Sequence, residues 1–447
     1  RGDIDSPIAI DEIKKYIAEQ DLNKEIRFIP KKRHEYGNKI AVIGAGPAGL
    51  SCAYYLSIDG YEVTVFEKEE VLGGMLTLGI PSFRLEKDIV NAEIDILREL
   101  GVTFKTGVEV GVDITLDDLR KEGYEAFYLG IGANKGRGLG IVGEDGDGVI
   151  TGIDFLRNVN LGKTKKLQGK TVVIGGGNVA IVVARTATRL GSSAISLFCL
   201  ESREQMPALL EEINEAEAEN ITINNSWGPN RIITEDGHVT SVEFKKCISV
   251  FDKSGKFHPT YDENDTIIIE ADNIILSIGQ AIEFGDLIKG SKIELNRNNT
   301  VKADPFTYQT GEKDVFTGGD VYTGPRFAID AIAAGKQGAI SIHRYVQPGQ
   351  SLILGRDRRE YISLDKDNLD FDGYDHLPRQ SIEHVDGEKS KTTFKDLRTT
   401  FTKEQIMEET KRCLGCGATV VDEFLCVGCG ACTLKCKFDA ISLVRQY

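Results

Sequence analysis

The stretch "KIAVIGAGPAGLSCAYYLSIDGYEVTVFE" (39–67) decides the fold. An apolar β-run ends in the pattern Gly44-x-Gly46-x-x-Gly49, a helical segment follows, and after a glycine turn a second β-run closes on Glu67. In such a strand–helix–strand unit the first glycine permits the tight turn and the second lets the backbone approach a pyrophosphate. The third lets helix and strand pack closely. The helix N-terminus offers N–H groups and the positive end of its dipole to phosphates. Glu67 sits where a carboxylate can accept hydrogen bonds from ribose hydroxyls. A glycine pattern alone is weak evidence; here strand, helix and acid are all in place.

The unit recurs. "KTVVIGGGNVAIVVARTATRLGSSAISLFCLE" (170–201) has an apolar run, then Gly175-x-Gly177-x-x-Ala180, a helical segment, a glycine turn and a second run reaching Cys199, with Glu201 just beyond. Two such units predict two related nucleotide-binding domains and an α/β fold. A carboxylate at Glu201 favours the free ribose 2′-hydroxyl of NAD. The 2′-phosphate of NADP would be repelled and calls for arginine. Positions 199–201 hold no arginine, and the nearest is Arg203. NAD(H) is the expectation; the alternative is that Glu201 is a solvated strand-end acid and Arg203 swings in to take a phosphate. Two further glycine clusters stand out. "LGGMLTLGIPSFRL" (72–85) carries Gly73, Gly74 and Gly79, and "VFTGGDVYTGPRFAIDAIAAGKQGA" (315–339) places Gly318, Gly319 and Asp320 between a strand and a helix. An Asp there could bond a polyol while helix amides meet a phosphate, although alone it reads as an ordinary capped helix.

Six of the nine cysteines crowd near the C-terminus. Cys426, Cys429, Cys432 and Cys436 give C-x2-C-x2-C-x3-C, a spacing whose short loops direct several thiolates to one iron–sulfur cubane. Cys413 and Cys416 add a C-x2-C upstream. A zinc ribbon from Cys413, Cys416, Cys426 and Cys429 would leave Cys432 and Cys436 unexplained. One 4Fe-4S cluster is expected. Cys426, Cys429 and Cys432 supply three ligands and Cys436, Cys413 or Cys416 the fourth; the spare thiols are structural or serve a second centre. Cys52, Cys199 and Cys247 stand alone in apolar runs and read as free buried thiols. This usage of cysteine, without a secretion signal, points to metal or redox chemistry in a reducing cytoplasm rather than to disulfides.

The totals set outer bounds. A chain of 447 residues suggests about three domains. A net charge of −15 argues against a nucleic-acid partner, and no apolar run approaches the ~20 residues of a membrane span. Ile10, Ile13 and Ile17 in "IDEIKKYIAE" follow helical spacing, and Thr402 with Gln405 in "TKEQIMEETKRC" forms a capping-box pattern leading into the cysteines. The polar tract beginning near residue 351 lacks sustained periodicity and reads as an extended connector.

Taken together, "VIGAGPAGLSCAYYL", "GGMLTLGIPSFRL", "VVIGGGNVAIVVART", "SREQMPA" and "VFTGGDV" with "AIDAIAAGKQGA" resemble the glutamate synthase small-subunit family of flavoproteins. That family includes the large subunit of the bifurcating NADH-dependent ferredoxin:NADP oxidoreductase, and the resemblance spans residues 5–346. It implies two Rossmann-like domains of the glutathione-reductase type, FAD at the first loop and a nicotinamide nucleotide at the second. By position, Gly44, Gly46, Gly49, Glu67, Gly74 and Asp320 would contact FAD; Gly175, Gly177, Asn178 and Val179 would contact the nicotinamide nucleotide, beside Glu201. Pro47, Ala48, Arg84, Gly132, Gly279 and Gly319 complete the candidate cofactor-binding set. The expected division is an N-terminal helical segment (1–38), an FAD-binding part (39–165 and 282–350) around an NAD(H)-binding part (166–281), a connector (351–400) and a ferredoxin-like module (401–447).

Two departures from the family matter. Leu200 and Glu201 stand where the family commonly has two arginines before "SRE", which supports NADH. The chain also starts at what corresponds to the end of the family's N-terminal iron–sulfur domain, so either those clusters are lost or that region lies outside this chain. Lys437 replaces the proline usual after the last cysteine of a ferredoxin module. Hydride transfer needs no side-chain acid or base, so no catalytic residue is assigned. With Cys52 unpaired, a dithiol relay beside the flavin is not expected. The expected role is an oxidoreductase subunit exchanging hydride between NADH and FAD and passing single electrons to iron–sulfur or flavin centres of partner subunits. The alternatives are an NADPH-dependent donor to glutamate synthase and a non-catalytic electron relay.

Overall fold

The structure is a computed structural model that describes residues 1–2, 4–354, 356, 373–382, 385–415 and 426–435. The chain divides into two compact units. The larger comprises Ala18–Glu360 and Glu383–Thr399; the smaller comprises Arg1–Ile17, Tyr361–Ile382 and Thr400–Tyr447.

Fifteen strands are described: β1 (Lys39–Ile43), β2 (Glu62–Glu67), β3 (Thr103–Thr106), β4 (Tyr124–Leu129), β5 (Lys135–Gly136), β6 (Val149–Thr151), β7 (Lys170–Ile174) and β8 (Ala194–Cys199) come first. Then follow β9 (Thr222–Asn225), β10 (Trp227–Glu235), β11 (His238–Phe251), β12 (Phe257–Glu270), β13 (Asn273–Leu276), β14 (Gln280–Ala281) and β15 (Val315–Thr317). In the larger unit, one parallel sheet runs β15-β4-β1-β2-β3 and a second runs β6-β13-β7-β8-β9. β1 and β7 are the glycine-loop strands of the sequence repeat, and each buries all but its first residue. That is why they read as unbroken apolar runs: both faces of each parallel sheet are covered, one by helices and the other by further packed segments of the chain. The chain leaves the first sheet after β4, builds the second, and returns to add β15. The two crossings pair antiparallel as β5 and β14, over only two residues each.

An antiparallel meander, β10-β11-β12, is inserted between β9 and β13. The sequence reading did not foresee it. Its inner face packs Ile232, Val242 and Phe244 on Val172, Ile174 and Phe198 of the second sheet. The Phe198 and Phe244 rings stack at 4.1 Å.

Behind the second sheet lies a buried charge nest. Glu219 accepts from Arg185 Nη2 at 2.7 Å and Arg189 Nη1 at 2.6 Å, and its side chain is 1% exposed. Burial opposes the Glu219 charge, yet the bonds from Arg189 and Arg185 outweigh it and hold its pKa below the usual range. The tract read as an extended connector contributes here: Gly387–Ser390 forms a helical turn and Phe394 packs against the apolar core of the second sheet.

In the smaller unit the expected capping box is present. Thr402 Oγ1 accepts from the Gln405 N–H and Gln405 Oε1 accepts from the Thr402 N–H, starting the helix Lys403–Lys411. Arg412 and Glu409 are wholly buried and paired at 2.7 Å. Arg412 also donates to Leu377 O and Ser6 O, and Glu409 accepts from the Ala9 and Gln380 N–H groups. This pair therefore pins the N-terminal segment and residues 377–380 to the helix that precedes Cys413. The N-terminal helix spans Ile10–Leu22 as the spacing predicts, but Ile10 and Ile17 face solvent.

Removing one partner of a buried ion pair strands the other, at about 3–5 kcal/mol. Glu219→Gln leaves Arg185 and Arg189 sharing a neutral acceptor, so its thermal transition should fall well below wild type in a calorimetric scan. An unchanged transition would mean that Glu215 and Glu212, which also pair with Arg185, carry the charge without Glu219.

Candidate functional site

The C-terminal ends of β1, β4 and β15 are neighbours, because β1 pairs with β4 and β4 with β15. Such an edge is where open α/β sheets bind ligands. Gly44 ends β1 at φ +100°, and a Cβ there would lie 2.6 Å from Gly130 O at the end of β4. A Cβ on Gly49 would overlap Gly44 O. Gly74, at φ +54°, comes so close to Gly46 that a Cβ would stand 2.7 Å from the Gly46 Cα. A Cβ on Gly319 would stand 2.9 Å from that of Ala48. Pro47 occupies the first turn of the helix Pro47–Asp59, and Gly132 (φ +70°) follows β4. Backbone from four separate stretches thus converges on one cradle that side chains would fill, and it fits a pyrophosphate.

Two carboxylates frame the cradle. Glu67 Oε2 accepts from the Ala45 N–H at 2.7 Å, and Oε1 accepts from the Glu69 N–H at 3.0 Å. Burial raises the Glu67 pKa, and the two N–H donors oppose this only in part. Asp320 opens a short helical turn, Asp320–Thr323, and accepts from the Arg326 N–H. Burial raises its pKa too. Arg84 does not join them: its guanidinium is ion-paired with Glu212 of the helix Leu210–Ala218.

The second loop opens into a cavity of about 610 Å³. Gly175, Gly177, Asn178 and Val179 line one side, with Gly279 and Glu201 further along. A Cβ on Gly176 would stand 2.6 Å from Glu201 Oε2, so the carboxylate lies directly over the loop. Asn178 Oδ1 is held by the Leu209 N–H at 2.8 Å. Among the described residues that line the cavity, Glu201 is the only charged one. Arg203 is turned away in a two-pronged pair with Glu217 at 2.7 and 2.8 Å. The opposite wall comes from the meander: Trp227, Pro229, Phe257, Pro259 and Tyr261. Sequence reasoning missed these five. The alternation along "SVEFKKC" within β11 was the available signal for a strand, but nothing local aims its neighbours at the cavity.

Cys52, Cys199 and Cys247 are buried and free, as expected. Burial pushes the Cys199 pKa up to about 12. Cys413, Cys426, Cys429 and Cys432 are exposed and free. Cys416 and Cys436 lie outside the described residues. Among the described residues no three His, Cys, Asp or Glu side chains are gathered as for a metal. The local backbone nevertheless suits a cluster loop. Gly428 and Gly430 adopt φ +65° and +74° between the cysteines, the kind of tight reversal that brings successive thiolates to one centre.

Two parallel sheets, a pyrophosphate cradle on the first and a nucleotide cavity on the second define a nucleotide-dependent flavin oxidoreductase. The family model "Pyridine nucleotide-disulphide oxidoreductase" matches residues 38–335, and the chain belongs to that family. The "4Fe-4S binding domain" model matches residues 419–442. FAD, a pyridine nucleotide and a 4Fe-4S cluster are therefore its cofactors. The chain is 33% identical to the NADP(+)-dependent formate dehydrogenase subunit beta of Moorella thermoacetica over 93% of its own length and 62% of that protein's. It is 30% identical to the glutamate synthase [NADPH] small chain of Escherichia coli K12, over 76% of this chain and 75% of that one. The structure of Mycobacterium tuberculosis FprA in complex with NADPH shares the fold at a TM-score of 0.60 and 17% identity, over 69% of this chain and 84% of that one. No helix among the described residues is long and apolar enough to cross a membrane.

The raised pKa of Glu67 has a testable sign. The folded protein holds that proton more tightly than the unfolded chain. The ionised carboxylate therefore costs stability once pH rises above the ordinary carboxylate range. In the flavin-free protein, Glu67→Gln should raise the melting temperature relative to wild type more at pH 8 than at pH 4. An equal difference at both pH values would contradict the burial argument.

Proposed function

We propose that this chain is the NAD(H)-handling flavin subunit of a larger redox complex, exchanging hydride between NADH and FAD and passing single electrons to or from iron–sulfur centres. Bound FAD supplies the conversion between paired and single electrons. The chain's own residues bind, orient and exclude water. The loop Gly44–Gly49, with Gly74, Gly132 and Gly319, presents backbone N–H groups to the FAD pyrophosphate. Glu67 braces that loop through the Ala45 N–H and sits where the ribose hydroxyls approach. Asp320 meets the ribityl chain. On the second sheet, Gly175, Gly177, Asn178 and Val179 receive the nicotinamide nucleotide's phosphates, and Gly279 leaves room beside them. The aromatic wall from the meander keeps water from that cavity. Cys426, Cys429 and Cys432 supply three cluster ligands, and Cys436, Cys413 or Cys416 the fourth. No side chain moves a proton at the reacting carbon, because hydride transfer requires only alignment and a dry site.

The observation that carries the choice of NADH is the charge inside the cavity. Among the described residues its one charged lining residue is the anion Glu201, and the cation expected from the sequence to rescue a 2′-phosphate, Arg203, is already committed to Glu217. The names of the Moorella and Escherichia relatives carry NADP and NADPH, which is a property of those proteins. Partner subunits holding iron–sulfur or flavin centres are the natural recipients of the electrons.

Charge-assisted bonds of about 1.5–3 kcal/mol translate into a discrimination of roughly 10- to 100-fold. Anaerobic flavin reduction should therefore favour NADH over NADPH by that factor in kcat/KM. The double change Leu200→Arg, Glu201→Arg should shift preference toward NADPH. Equal use of both nucleotides by the wild type, or no shift in the double variant, would remove Glu201 from the ribose.

A further inference from the structure

Arg84 lies in a segment of the first sheet, yet its charge is spent on the second. Residues 69–86 leave β2, pass the Gly73–Gly74 turn of the flavin cradle, and then make successive ties to the other sheet. Glu69 pairs with Arg157 at 2.5 Å, and Leu78 O accepts from Asn160 Nδ2 at 2.8 Å; both partners lie on the helix Gly152–Asn160 that follows β6. Arg84 pairs with Glu212, whose side chain is only 8% exposed, on the helix after β8. Phe83 is buried beneath the Arg189 guanidinium, 3.9 Å from its ring centre. Residues 386–398 then strap the junction. Phe394 packs on Phe83, Thr393 O accepts from Arg189 Nε at 2.9 Å, and Arg398 donates to Arg84 O at 3.1 Å.

The covalent crossing does little to fix the angle between the sheets, since β5 and β14 pair over two residues each. Hydride transfer, by contrast, tolerates little error in placement: a displacement of about 1 Å can cost 10²-fold. The tied segment also reaches the cradle itself, because the Glu69 N–H that donates to Glu67 belongs to the residue paired with Arg157.

We propose that Arg84 and Glu212, with Phe83 seated under Arg189 and the 386–398 strap across them, form a latch that sets the nucleotide cavity against the flavin cradle. Arg84 is thus a positioning residue and not a flavin contact. The inference rests on the hydride-exchange reading above for its consequence, though not for its geometry.

The test is anaerobic stopped-flow reduction of the FAD-loaded protein by saturating NADH in wild type, Arg84→Met, Glu212→Gln and the charge-conserving Arg84→Lys. The latch predicts that Arg84→Met and Glu212→Gln each slow the limiting rate at least 10-fold while FAD content and the NADH concentration for half-saturation stay within threefold. Arg84→Lys, which keeps a cation opposite Glu212, retains more of the rate than Arg84→Met. FAD lost in proportion to activity in Arg84→Met, or a wild-type rate in both Arg84→Met and Glu212→Gln, would overturn it. A second measurement is independent of chemistry: the distance between spin labels on azido residues replacing the exposed Lys121, on the first sheet's side, and Lys165, on the second's. A narrow distribution that broadens or shifts in Arg84→Met supports the latch, and one that stays narrow and unmoved overturns it. A wild-type flavin that neither nucleotide reduces would instead refute the hydride reading, leaving the spin-label distances to decide the latch.

Discussion

At the carboxyl end of β1 four glycines stand where no Cβ would fit. The carbonyls of Gly44 and Gly130, the Cα of Gly46 and the Cβ of Ala48 stand where Cβ atoms of Gly49, Gly44, Gly74 and Gly319 would fall. This mutual exclusion brings the ends of three parallel strands and one loop into backbone contact. It leaves backbone, rather than side chains, lining that edge. The rest of the larger unit is arranged to keep that convergence intact: apolar clusters bury both faces of the strands, and a carboxylate from β2 ties down the loop at Ala45.

Charge is handled differently at the two nucleotide loops. Glu67 is buried and hydrogen-bonded to backbone, and its raised pKa reflects a desolvation cost only partly met by its donors. Glu201 lies open on its cavity, the one charged residue among the described ones that line it. Elsewhere, buried charges are paired: Glu219 with two arginines, Glu409 with Arg412. The pairing of Arg203 with Glu217 belongs to the same economy, since a guanidinium already held by two bonds gains little by turning to a phosphate.

Much of the fold was legible. The repeat at 39–67 and 170–201 yields the two parallel sheets, with both glycine loops at strand ends. The capping box at Thr402 forms as its residues predict. The connector reading was correct in polarity but missed that Phe394 and its neighbours fold into the larger unit. Polar tracts have no period to reveal a single buried aromatic. The meander was missed because its long strands mix exposed Ile248, Phe251 and Ile268 with buried Val242 and Phe244, which blurs the alternation.

The sequence by itself determined what depends on neighbours within a turn or two: glycine spacing at a strand end, cysteine spacing around a cluster, an acid closing a strand, a cap starting a helix. Only the tertiary structure decided which distant side chains would meet. Arg84, counted from the sequence among the candidate cofactor-binding residues, finds Glu212, and the walls facing the second glycine loop come from an inserted sheet. The physical reason is that a local motif is selected by backbone sterics and short-range hydrogen bonds. A buried ion pair is selected by which surfaces the folded chain brings out of water together, and no spacing in the sequence records that.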